Sequence, residues 1–406
     1  MLDWRETSLG GEIELAYGKS LPAHARESGR FGVFGSNGLV GTHTEACVDG
    51  PGIVVGRKGS VGEVTYSADA FWPIDTTYYV VNKSDHNWRF LFHLLRHSNL
   101  TSLNSHSAIP GLNREDVYSV AVNFPSRKEE NDIAYVLDCL ESSIHLEVAA
   151  LSNATELKQA AMHKIFTCGL RGEPQKETAI GPVPESWQVS TLGGICSYGN
   201  SSIQTGPFGS QLHSHEYRRE GTPIINPIHL NGNKINHGNI PKVSPDTAVR
   251  LKRHKVKVGD ILFARRGEIG RHGLVSPTED GWLCGTGCFL VRVSYSMIDN
   301  VFLSYLFSTD AIVAWLNAHA AGAIMPNLNN LVLSNMPVVY PEDEYEQHEI
   351  VAILDAIDRK IDLHRRKKSV LEELFKAMLH KLMSGEIRVD DLDLSALHQQ
   401  DSEEKL

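Results

Sequence analysis

Long hydrophobic runs and closely paired cysteines are both missing from this sequence. No apolar stretch approaches the roughly 20 residues that a membrane-spanning helix needs. The opening residues, MLDWRE, lack the basic and apolar regions of a signal peptide, so we expect a cytoplasmic protein with no membrane partner. The six cysteines form no CxxC pair, which argues against a zinc site or a disulfide framework and favours reduced packing thiols.

Positive charge is scarce: the chain has 39 Lys and Arg against 49 Asp and Glu, which gives a net charge of −10. Since phosphate contacts need Lys and Arg, this balance excludes a protein that is basic throughout. Half of the excess lies in residues 390–406, where six carboxylates face Lys405 alone. Local basic clusters can bind DNA on an acidic protein, although each cluster alone could equally be a solvated surface. The clusters are Arg250, Lys252, Arg253, Lys255 and Lys257, followed by Arg265 and Arg266.

The motifs of common catalytic and nucleotide-binding sites are also missing. Gly56, Gly59 and Gly62 lack the G-x-G spacing of a dinucleotide site. Gly18-Lys19-Ser20 resembles the end of a P-loop, but Ile13 stands where the first glycine of that loop is required. Neither an HExxH pair nor the Asn-Pro-Pro-aromatic tetrapeptide of amino-methyltransferases occurs. We therefore expect no catalytic residues, no metal site and no cofactor bound by this chain.

What the sequence does contain is an internal repeat, which is the first feature to seek in a chain of this length. Its two halves share short motifs. The number of residues that separates a position in the first half from its match in the second, the offset, grows from 183 to a constant 217. The growing offset indicates insertions that make the second globular part longer. The matched motifs are Trp4–Gly10 with Trp187–Gly193, Arg57–Gly62 with Arg265–Gly270, and Ile109–Asn113 with Met325–Asn329.

Two long helices carry the clearest part of this repeat. Ser126 and Asp343 each follow a proline and begin a capping box with a Glu three residues later. A heptad seam follows each cap for about 40 residues, which is typical of a coiled coil. Gly169 and Gly385 end the helices. The seams are Ile133, Leu137, Leu140, Ile144, Glu147, Leu151, Ala154, Lys158, Ala161 and Ile165, and Ile350, Leu354, Ile357, Ile361, His364, Lys368, Leu371, Phe375, Met378 and Leu382.

Such seams must be buried against something. We expect the two helices to pair with each other, antiparallel, and the alternative is that each lies on its own globular part. In the paired arrangement Glu147 faces His364 or Lys368 near the helix centres and fixes the register, since buried polar pairs specify register in coiled coils.

The globular parts consist mainly of short strand patterns with glycine turns, which predicts an α+β fold. Val33–Gly38 contains a hairpin signal, and Gly52–Gly56 and Gly259–Ala264 are typical of buried strands. Short helices are predicted at Trp88–His97 and Val301–Ala318. The predicted order is a globular domain at 1–125, a long helix at 126–169, a linker at 170–186, a second domain at 187–341, a second long helix at 342–385 and an acidic tail at 386–406.

Taken together, these motifs closely resemble the specificity (S) subunit of type I restriction–modification systems. The resemblance spans essentially the whole chain, including the order domain–helix–domain–helix. The motifs are Phe34–Gly41, Gly59–Gly62, Gly206–Leu212, Gly221–Ile225, Val258–Gly270 and Gln347–Asp355.

The resemblance implies two target-recognition domains, with twisted sheets and short helices, that read a bipartite and asymmetric site on double-stranded DNA. It implies spacer helices that set the gap between half-sites and dock two modification (methyltransferase) subunits. It also implies motor–nuclease restriction subunits, which with the modification subunits would use S-adenosylmethionine, ATP and Mg²⁺. A coiled-coil adaptor that does not bind DNA and a single-chain DNA-modifying enzyme remain the alternatives.

Most candidate DNA contacts are basic or small polar residues beside glycine turns, where the backbone can approach DNA closely, and Arg253 and Lys255 come from the basic cluster before Gly259. The matched turn residues among them could instead pair with nearby carboxylates. The DNA candidates are Lys19, Ser36, Asn37, Arg57, Lys58, Ser60, Ser210, Gln211, Arg253, Lys255, Arg265 and Arg266. The candidates for partner docking are the seam positions Ile133, Leu137, Ile144, Ile350, Leu354 and Ile361.

Overall fold

A computed structural model describes residues 4–103, 111–208, 211–294, 296, 298–320 and 327–392. The chain divides into two compact units. Unit 1 comprises Met1–Ala150 and His364–Leu406, and unit 2 comprises Leu151–Leu363. Each unit therefore contains one globular domain together with one part of each long helix.

Unit 1 has nine strands and the beginning of the first long helix within its described residues. The strands are β1 (Arg5–Ser8), β2 (Ile13–Tyr17), β3 (Phe31–Gly35), β4 (Gly38–His43), β5 (Gly52–Gly56), β6 (Val64–Ser67), β7 (Phe71–Pro73), β8 (Thr77–Asn82) and β9 (Ala121–Phe124). The helices are α1 (Leu9–Glu12), α2 (Trp88–His97), α3 (Arg114–Tyr118) and α4 (Arg127–Cys168), which continues into unit 2.

Unit 2 has more and shorter strands. They are β10 (Gln175–Thr178), β11 (Gly181–Pro184), β12 (Gln188–Thr191), β13 (Ser202–Thr205), β14 (Tyr217–Arg218), β15 (Thr222–Ile225), β16 (Leu230–Asn231), β17 (Lys234–Ile235), β18 (Lys242–Val243), β19 (Ile261–Ala264), β20 (His272–Leu274), β21 (Leu283–Cys284), β22 (Cys288–Arg292) and β23 (Pro337–Tyr340). The helices are α5 (Leu192–Ile195), α6 (Pro245–Arg250), α7 (Asn300–Phe307), α8 (Asp310–His319), α9 (Asn330–Asn335) and α10 (Glu344–Met383), which ends in unit 1.

The two domains share one sheet topology, which confirms the predicted repeat and the α+β class. The main sheet of unit 1 has the order β2-β8-β5-β6, and that of unit 2 has the matching order β13-β22-β19-β20, all antiparallel. A two-stranded ribbon, β1-β9 or β12-β23, precedes each long helix. Between β13 and β19 unit 2 has five short strands, β14 to β18, where unit 1 has two, β3 and β4, between β2 and β5. β15 is shared with unit 1, because it pairs parallel with β21 as β3 does with β7. The longer segment of unit 2 lies where the growing offset indicates insertions.

The ends of the long helices are set as the sequence predicts. Ser126 and Asp343 accept hydrogen bonds from first-turn amides of α4 and α10. At the other ends, Gly169 and Gly385 have φ angles of 67° and 71°, a left-handed conformation that glycine adopts without steric cost.

A tryptophan ties the start of each domain to the first turn of a long helix. The Trp4 indole donates a hydrogen bond to Glu129 over 3.1 Å, and the Trp187 indole donates to Glu346 over 3.3 Å. These residues come from two repeated motifs that lie far apart in the sequence. Their contact shows that the domain motif and the helix motif form one structural feature, present in both units.

Each unit buries parts of both long helices in one core. In unit 1, Ile133 and Leu137 of α4 and Phe375 and Leu382 of α10 pack in the same core as Phe90 of α2. Since the start of α4 meets the end of α10, the helices run antiparallel in this unit. Burying one such aliphatic side chain contributes about 1.5–3 kcal/mol.

The same arrangement recurs in unit 2, where Ile165 of α4 and Ile350 and Leu354 of α10 pack in one core with Trp187. Both alternatives for burying the seams therefore hold, at different places. The helix ends pack on the domain, and the helices also pair with each other.

The polar register pair that the sequence predicts is present in unit 1. Glu147 is 7% exposed and accepts a hydrogen bond from Nδ1 of His364 over 2.7 Å. Its second oxygen lies 2.5 Å from the Lys367 ammonium, and the lysine and the histidine together lower the pKa of Glu147. Lys368, the other predicted partner, pairs instead with Glu372 one turn further along α10.

Two predicted elements are corrected by the structure. The helix expected over Val301–Ala318 is broken into α7 and α8, because Thr309 caps a new first turn through its contact with the Ile312 amide. The predicted linker contains the hairpin β10–β11, with Gly181 at a φ of 92° in the turn. Among the described residues no single helix is long and apolar enough to cross a membrane, although the bent pair α7–α8 meets that test when joined.

The units differ at the point where the domain meets the first turn of a long helix, which we call the domain–helix junction. In unit 1, His86 is 7% exposed and lies between two carboxylates, with Nδ1 2.7 Å from Glu130 and Nε2 2.9 Å from Glu12. Burial opposes the charged imidazole, but the hydrogen bonds to Glu130 and Glu12 outweigh it and raise the pKa of His86. The Arg5 hydrogen bond holds the pKa of Glu12 well below its usual range.

In unit 2 uncharged residues replace the three members of this ion cluster. Ile195, Ile298 and Gln347 occupy the positions of Glu12, His86 and Glu130. Gln347 accepts a hydrogen bond from the amide of the α7 cap over 2.8 Å, as Glu130 does from the α2 cap over 3.0 Å. The backbone arrangement is thus kept while the ion cluster is replaced.

Replacing His86→Ile alone should destabilise unit 1 by about 3 kcal/mol, because it leaves buried carboxylates without their partner. The triple variant E12I/H86I/E130Q installs the residues of unit 2 and should recover most of that loss. Hydrogen–deuterium exchange of β2 measures the effect, and exchange of β13 in unit 2 is the control. A triple variant no more stable than the single one would contradict this account.

The same cluster predicts a pH dependence. Because the folded pKa of His86 is raised above 6.5, its contribution is present below that pH and is lost as pH rises through the folded pKa. After correction for intrinsic exchange rates, protection of β2 should fall at alkaline pH in the wild type. Protection of β2 in the triple variant, and of β13 in both proteins, should not show this fall.

Candidate nucleic-acid interface

Two arginines at matched turns form the framework of the candidate interface. Arg57 follows β5, and its guanidinium carbon lies 5.8 Å from the centre of the Tyr78 ring. Arg265 follows β19 and lies 6.0 Å from the Phe289 ring, which occupies the position of Tyr78. Both arginines are half-buried. Each also donates a hydrogen bond inside its own domain, Arg57 to the Asp75 carbonyl and Arg265 to Asn327.

The backbone of these turns holds a second repeated motif. The carbonyl of Arg57 accepts from the Leu112 amide over 3.0 Å, and that of Arg265 accepts from Leu328 over 2.9 Å. The geometry therefore favours a structural role for both arginines, which was the alternative to DNA contact. Their partners, however, are a ring, a carbonyl and an amide rather than the expected carboxylates.

The residue that follows each arginine points to solvent. Lys58 and Arg266 are both exposed. Gly59 and Gly267 come next, with φ angles of 79° and 88°. A left-handed glycine at this place reverses the chain so that the preceding side chain stands at the tip of the turn. Lys58 and Arg266 are thus the members of the two turns available for phosphate.

In unit 1 the structure brings the predicted polar residues together around the Arg57 turn. The Thr76 carbonyl accepts hydrogen bonds from the Ser36 hydroxyl and from the amides of Arg57 and Lys58, at 2.9 to 3.1 Å. Gly56 lies so close to the carbonyls of Ser36 and Ser60 that a Cβ there would clash with both. Ser36, Ser60 and the Arg57 turn therefore form one surface, which we call the unit 1 edge.

Two further predicted residues lie on elements that border this edge. Asn37 is exposed at the tip of the β3–β4 hairpin, next to Ser36. Lys19 is exposed just after β2. Its backbone N–H donates a hydrogen bond to the Pro73 carbonyl at the end of β7.

In unit 2 the corresponding edge contains Arg266 and the segment that follows β13. Thr205, Phe208, Arg265 and Arg266 line one cavity there. Gln211 turns its side chain back toward the Phe208 amide, so its predicted outward contact is replaced by a local one. Ser210 lies outside the described residues.

The basic cluster that precedes β19 borders the same edge of unit 2. Gln204 of β13 donates to the Arg253 carbonyl over 2.6 Å, which places Arg253 beside the strand that leads to Phe208. Arg253 and Lys255 are both exposed. Arg250, from the same sequence cluster, is instead paired with Glu216 inside its domain.

Comparison with known proteins identifies the family. The family model for the type I restriction modification DNA specificity domain matches residues 1–156 and 184–373. The chain belongs to this family. The two matched segments begin with the two domains and each extends into a long helix, in agreement with the repeat.

Individual relatives in this family are similar over most of their length. The MjaVIII specificity subunit of Methanocaldococcus jannaschii is 26% identical over 74% of this chain and 69% of its own. The EcoDI specificity subunit of Escherichia coli is 23% identical over 95% of this chain and 89% of its own. The crystal structure of an S subunit from M. genitalium shares the fold, with a TM-score of 0.66 at 18% identity over 94% of this chain and 96% of that one.

The seam positions that the sequence offered for partner docking require a correction. Ile133, Leu137, Ile350, Leu354 and Ile361 are all under 8% exposed, and Ile144 is half-buried against the unit 1 core. Because the seams close the helices onto each other and onto the domains, these side chains are not on the surface. Any docking surface of this specificity-family member must use other faces of the helices.

One cluster has the composition of a metal site, although the sequence predicts none. His93, Asp138 and Glu141 bring their ligand atoms within 4.8 Å of one another. Arg89 and Arg96 already bind these carboxylates, at 2.6 to 2.8 Å. The arginines supply the positive charge that a metal would bring.

The repeat indicates that this cluster has a structural role. Tyr305, Asp355 and Asp358 stand at the matching positions of unit 2. The Tyr305 hydroxyl lies 2.6 Å from Asp355 and 2.8 Å from Asp358, and Lys158 binds Asp358 over 2.7 Å. Both clusters join a domain helix to a long helix through hydrogen bonds and ion pairs.

The exposed and the half-buried arginine of the unit 2 turn should respond differently to alanine substitution. Arg266→Ala should lower the slope of log affinity for duplex DNA against log salt by about one, since one phosphate contact is lost. Arg265→Ala should instead destabilise the domain by about 1–2 kcal/mol through the lost Phe289 and Asn327 contacts.

Fluorescence anisotropy between about 50 and 200 mM NaCl measures the slope, and urea unfolding measures stability. The matched control is Arg359→Ala, which removes an exposed arginine from α10. A slope for Arg266→Ala equal to that of the wild type would remove Arg266 from the interface.

Proposed function

We propose that this chain recognises a bipartite, asymmetric DNA target and holds together the modification and restriction subunits of a type I restriction–modification complex. Each domain reads one half-site through its turn edge. The chain itself is non-catalytic, and S-adenosylmethionine, ATP and Mg²⁺ are used by the partner subunits.

The observation that carries this proposal is the repetition of one framework with different exposed side chains. The arginine turn, its aromatic partner and the Leu112 or Leu328 contact are common to both units. Between β13 and β19 unit 2 has five short strands where unit 1 has two, and this longer segment exposes Arg253 and Lys255. A shared framework supports one binding mode, and different side chains support two different half-sites.

Comparisons support the same proposal. The relatives are named as specificity subunits of type I restriction enzymes. A second structure with the same fold, at a TM-score of 0.54, comes from work on complex assembly and conformational transition of the type I R-M system.

Co-expression with the modification subunit of its own system, followed by mapping of methylated bases, tests recognition. The expected result is one motif with two defined half-sites separated by an undefined gap, because two different domains of one chain each read their own half-site. Methylation without such a motif would contradict bipartite recognition. Methylation or cleavage by the isolated chain, given S-adenosylmethionine and Mg²⁺, would favour a single-chain enzyme, and failure to bind DNA would favour an adaptor.

Scaffolding is supported by leucines on the outer faces of the long helices. Unit 1 exposes Leu146 of α4 and Leu374 of α10, by 69% and 43%. Unit 2 exposes Leu363 of α10 and Leu157 of α4, by 63% and 55%. These are repeat counterparts, since Leu146 matches Leu363 and Leu157 matches Leu374 at the offset of 217. Each unit thus has one copy of the same exposed apolar pair, which suits two identical partners.

Glutamate substitutions test this surface one unit at a time. L146E/L374E and L157E/L363E should each reduce the complex from two modification subunits to one, because a buried unpaired charge strongly opposes association. Native mass spectrometry gives the stoichiometry.

Controls for this test come from the same helices. Ser152 and Ser369 are exposed, are repeat counterparts and lie on other helix faces, so S152E/S369E adds the same charge without affecting docking. If both leucine pairs left two modification subunits bound, the docking surface would lie elsewhere.

A further inference from the structure

We infer that Tyr17 and Arg114 form the base-reading pair of unit 1, and that Arg114 contacts a guanine in the half-site of that unit. The inference rests on the proposed function, and it names residues that determine specificity at the unit 1 edge.

The pair stands out by its geometry. Tyr17 ends β2 and is 53% exposed although it is a large aromatic residue. The guanidinium carbons of Arg114 and Arg57 lie 4.7 and 5.2 Å from the centre of its ring. Arg114 is half-buried and also donates to the Leu15 carbonyl over 3.3 Å, which holds its guanidinium beside β2. These contacts are of the same kind as those of Arg57, and Arg114 differs from Arg57 in having no arginine at the matching position of unit 2. An arginine oriented by a ring and a carbonyl loses little conformational freedom when it binds, since its planar fork is already placed.

The location of the pair fits recognition of DNA. Tyr17 contacts Arg57, whose turn carries the exposed Lys58 and the Ser36 contact described above. Lys19 is exposed two residues after Tyr17. The pair is therefore continuous with the basic and polar unit 1 edge, where phosphate contacts would fix the duplex against the domain.

Comparison of the two units distinguishes residues that hold the turn in both units from residues that differ between them and could read different bases. Arg57 and Arg265 occupy matching positions with the same aromatic and backbone contacts, so they cannot by themselves distinguish two half-sites. Tyr17, in contrast, matches Thr205 at the end of β13. Arg114 matches Asn330, the residue after the cap of the following short helix. At these places the backbone is conserved between the units while the side chains differ.

The local charge favours a base over a phosphate as the partner of Arg114. Glu115 and Asp116 follow it directly, and their charges oppose a phosphate. A guanine edge has no net charge and presents O6 and N7, which a guanidinium binds with two hydrogen bonds. Lys58, with no carboxylate next to it in sequence, is the better phosphate contact.

Exchange of the pair for its unit 2 counterparts tests the inference. In the co-expressed complex, Tyr17→Thr with Arg114→Asn should relax one or two positions of one half-site and leave the other half-site unchanged. Binding to the wild-type site should weaken about 5- to 150-fold, the range for loss of one bidentate base contact. Binding to a duplex library randomised in that half-site, with sequencing of the bound fraction, measures both effects.

Lys58→Ala is the matched control, because loss of a phosphate contact should weaken all sequences equally and leave the motif intact. Arg114→Lys keeps the charge and the fold contacts of the stem but not the paired hydrogen bonds, so it should also relax the guanine position. If the wild type shows a two-part motif and the exchanged variant binds DNA with the same motif, the base-reading pair is wrong while the proposed function stands. If the wild type shows no sequence preference at all, both are overturned.

Discussion

The burial of the two helix seams is the constraint on which the rest of the structure depends. Neither seam is covered by one partner alone. In each unit the aliphatic residues of α4 and α10 pack together and against the domain, with Ile133, Leu137 and Leu382 in one core and Ile165, Ile350 and Leu354 in the other. Because the start of one helix and the end of the other share a core, each domain is held at a fixed position along both helices of its unit.

Polar groups then specify that position. Glu147 has its two oxygens bound by His364 and Lys367, and a shift of the helices along each other would break both of these contacts. The tryptophan–glutamate contact fixes the first turn of each helix on its domain. The apolar seam thus buries the two helices, and a few buried hydrogen bonds select one register among several that the seam alone would permit.

Duplication explains how one chain can have a common framework and separate specificities. Residues that hold the turns are the same in both units, as Arg57 and Arg265 show, whereas exposed residues at equivalent backbone positions differ, as Tyr17 and Thr205 show. The domain–helix junction follows the same rule in the interior: Glu12, His86 and Glu130 form an ion cluster where unit 2 has Ile195, Ile298 and Gln347. A buried site can change from charged to neutral when all its members change together, because no uncompensated charge remains.

The sequence by itself determined the repeat, the α+β class and the bounds of the two long helices, because the heptad period, the capping residues and the repeat offset are local or additive signals. It placed Glu147 opposite His364 or Lys368, and the structure selected His364. It placed Trp88–His97 as the structure has it but merged α7 with α8, because apolar spacing continues across the break that Thr309 caps. Only the tertiary structure decided which arginine of each turn is exposed and which seam residues are buried, because both depend on contacts such as Phe289 and Trp187 that lie far away in the chain. For the same reason the Tyr17–Arg114 pair and the outer leucines have no signal in either residue alone and emerge when the fold brings matching positions together.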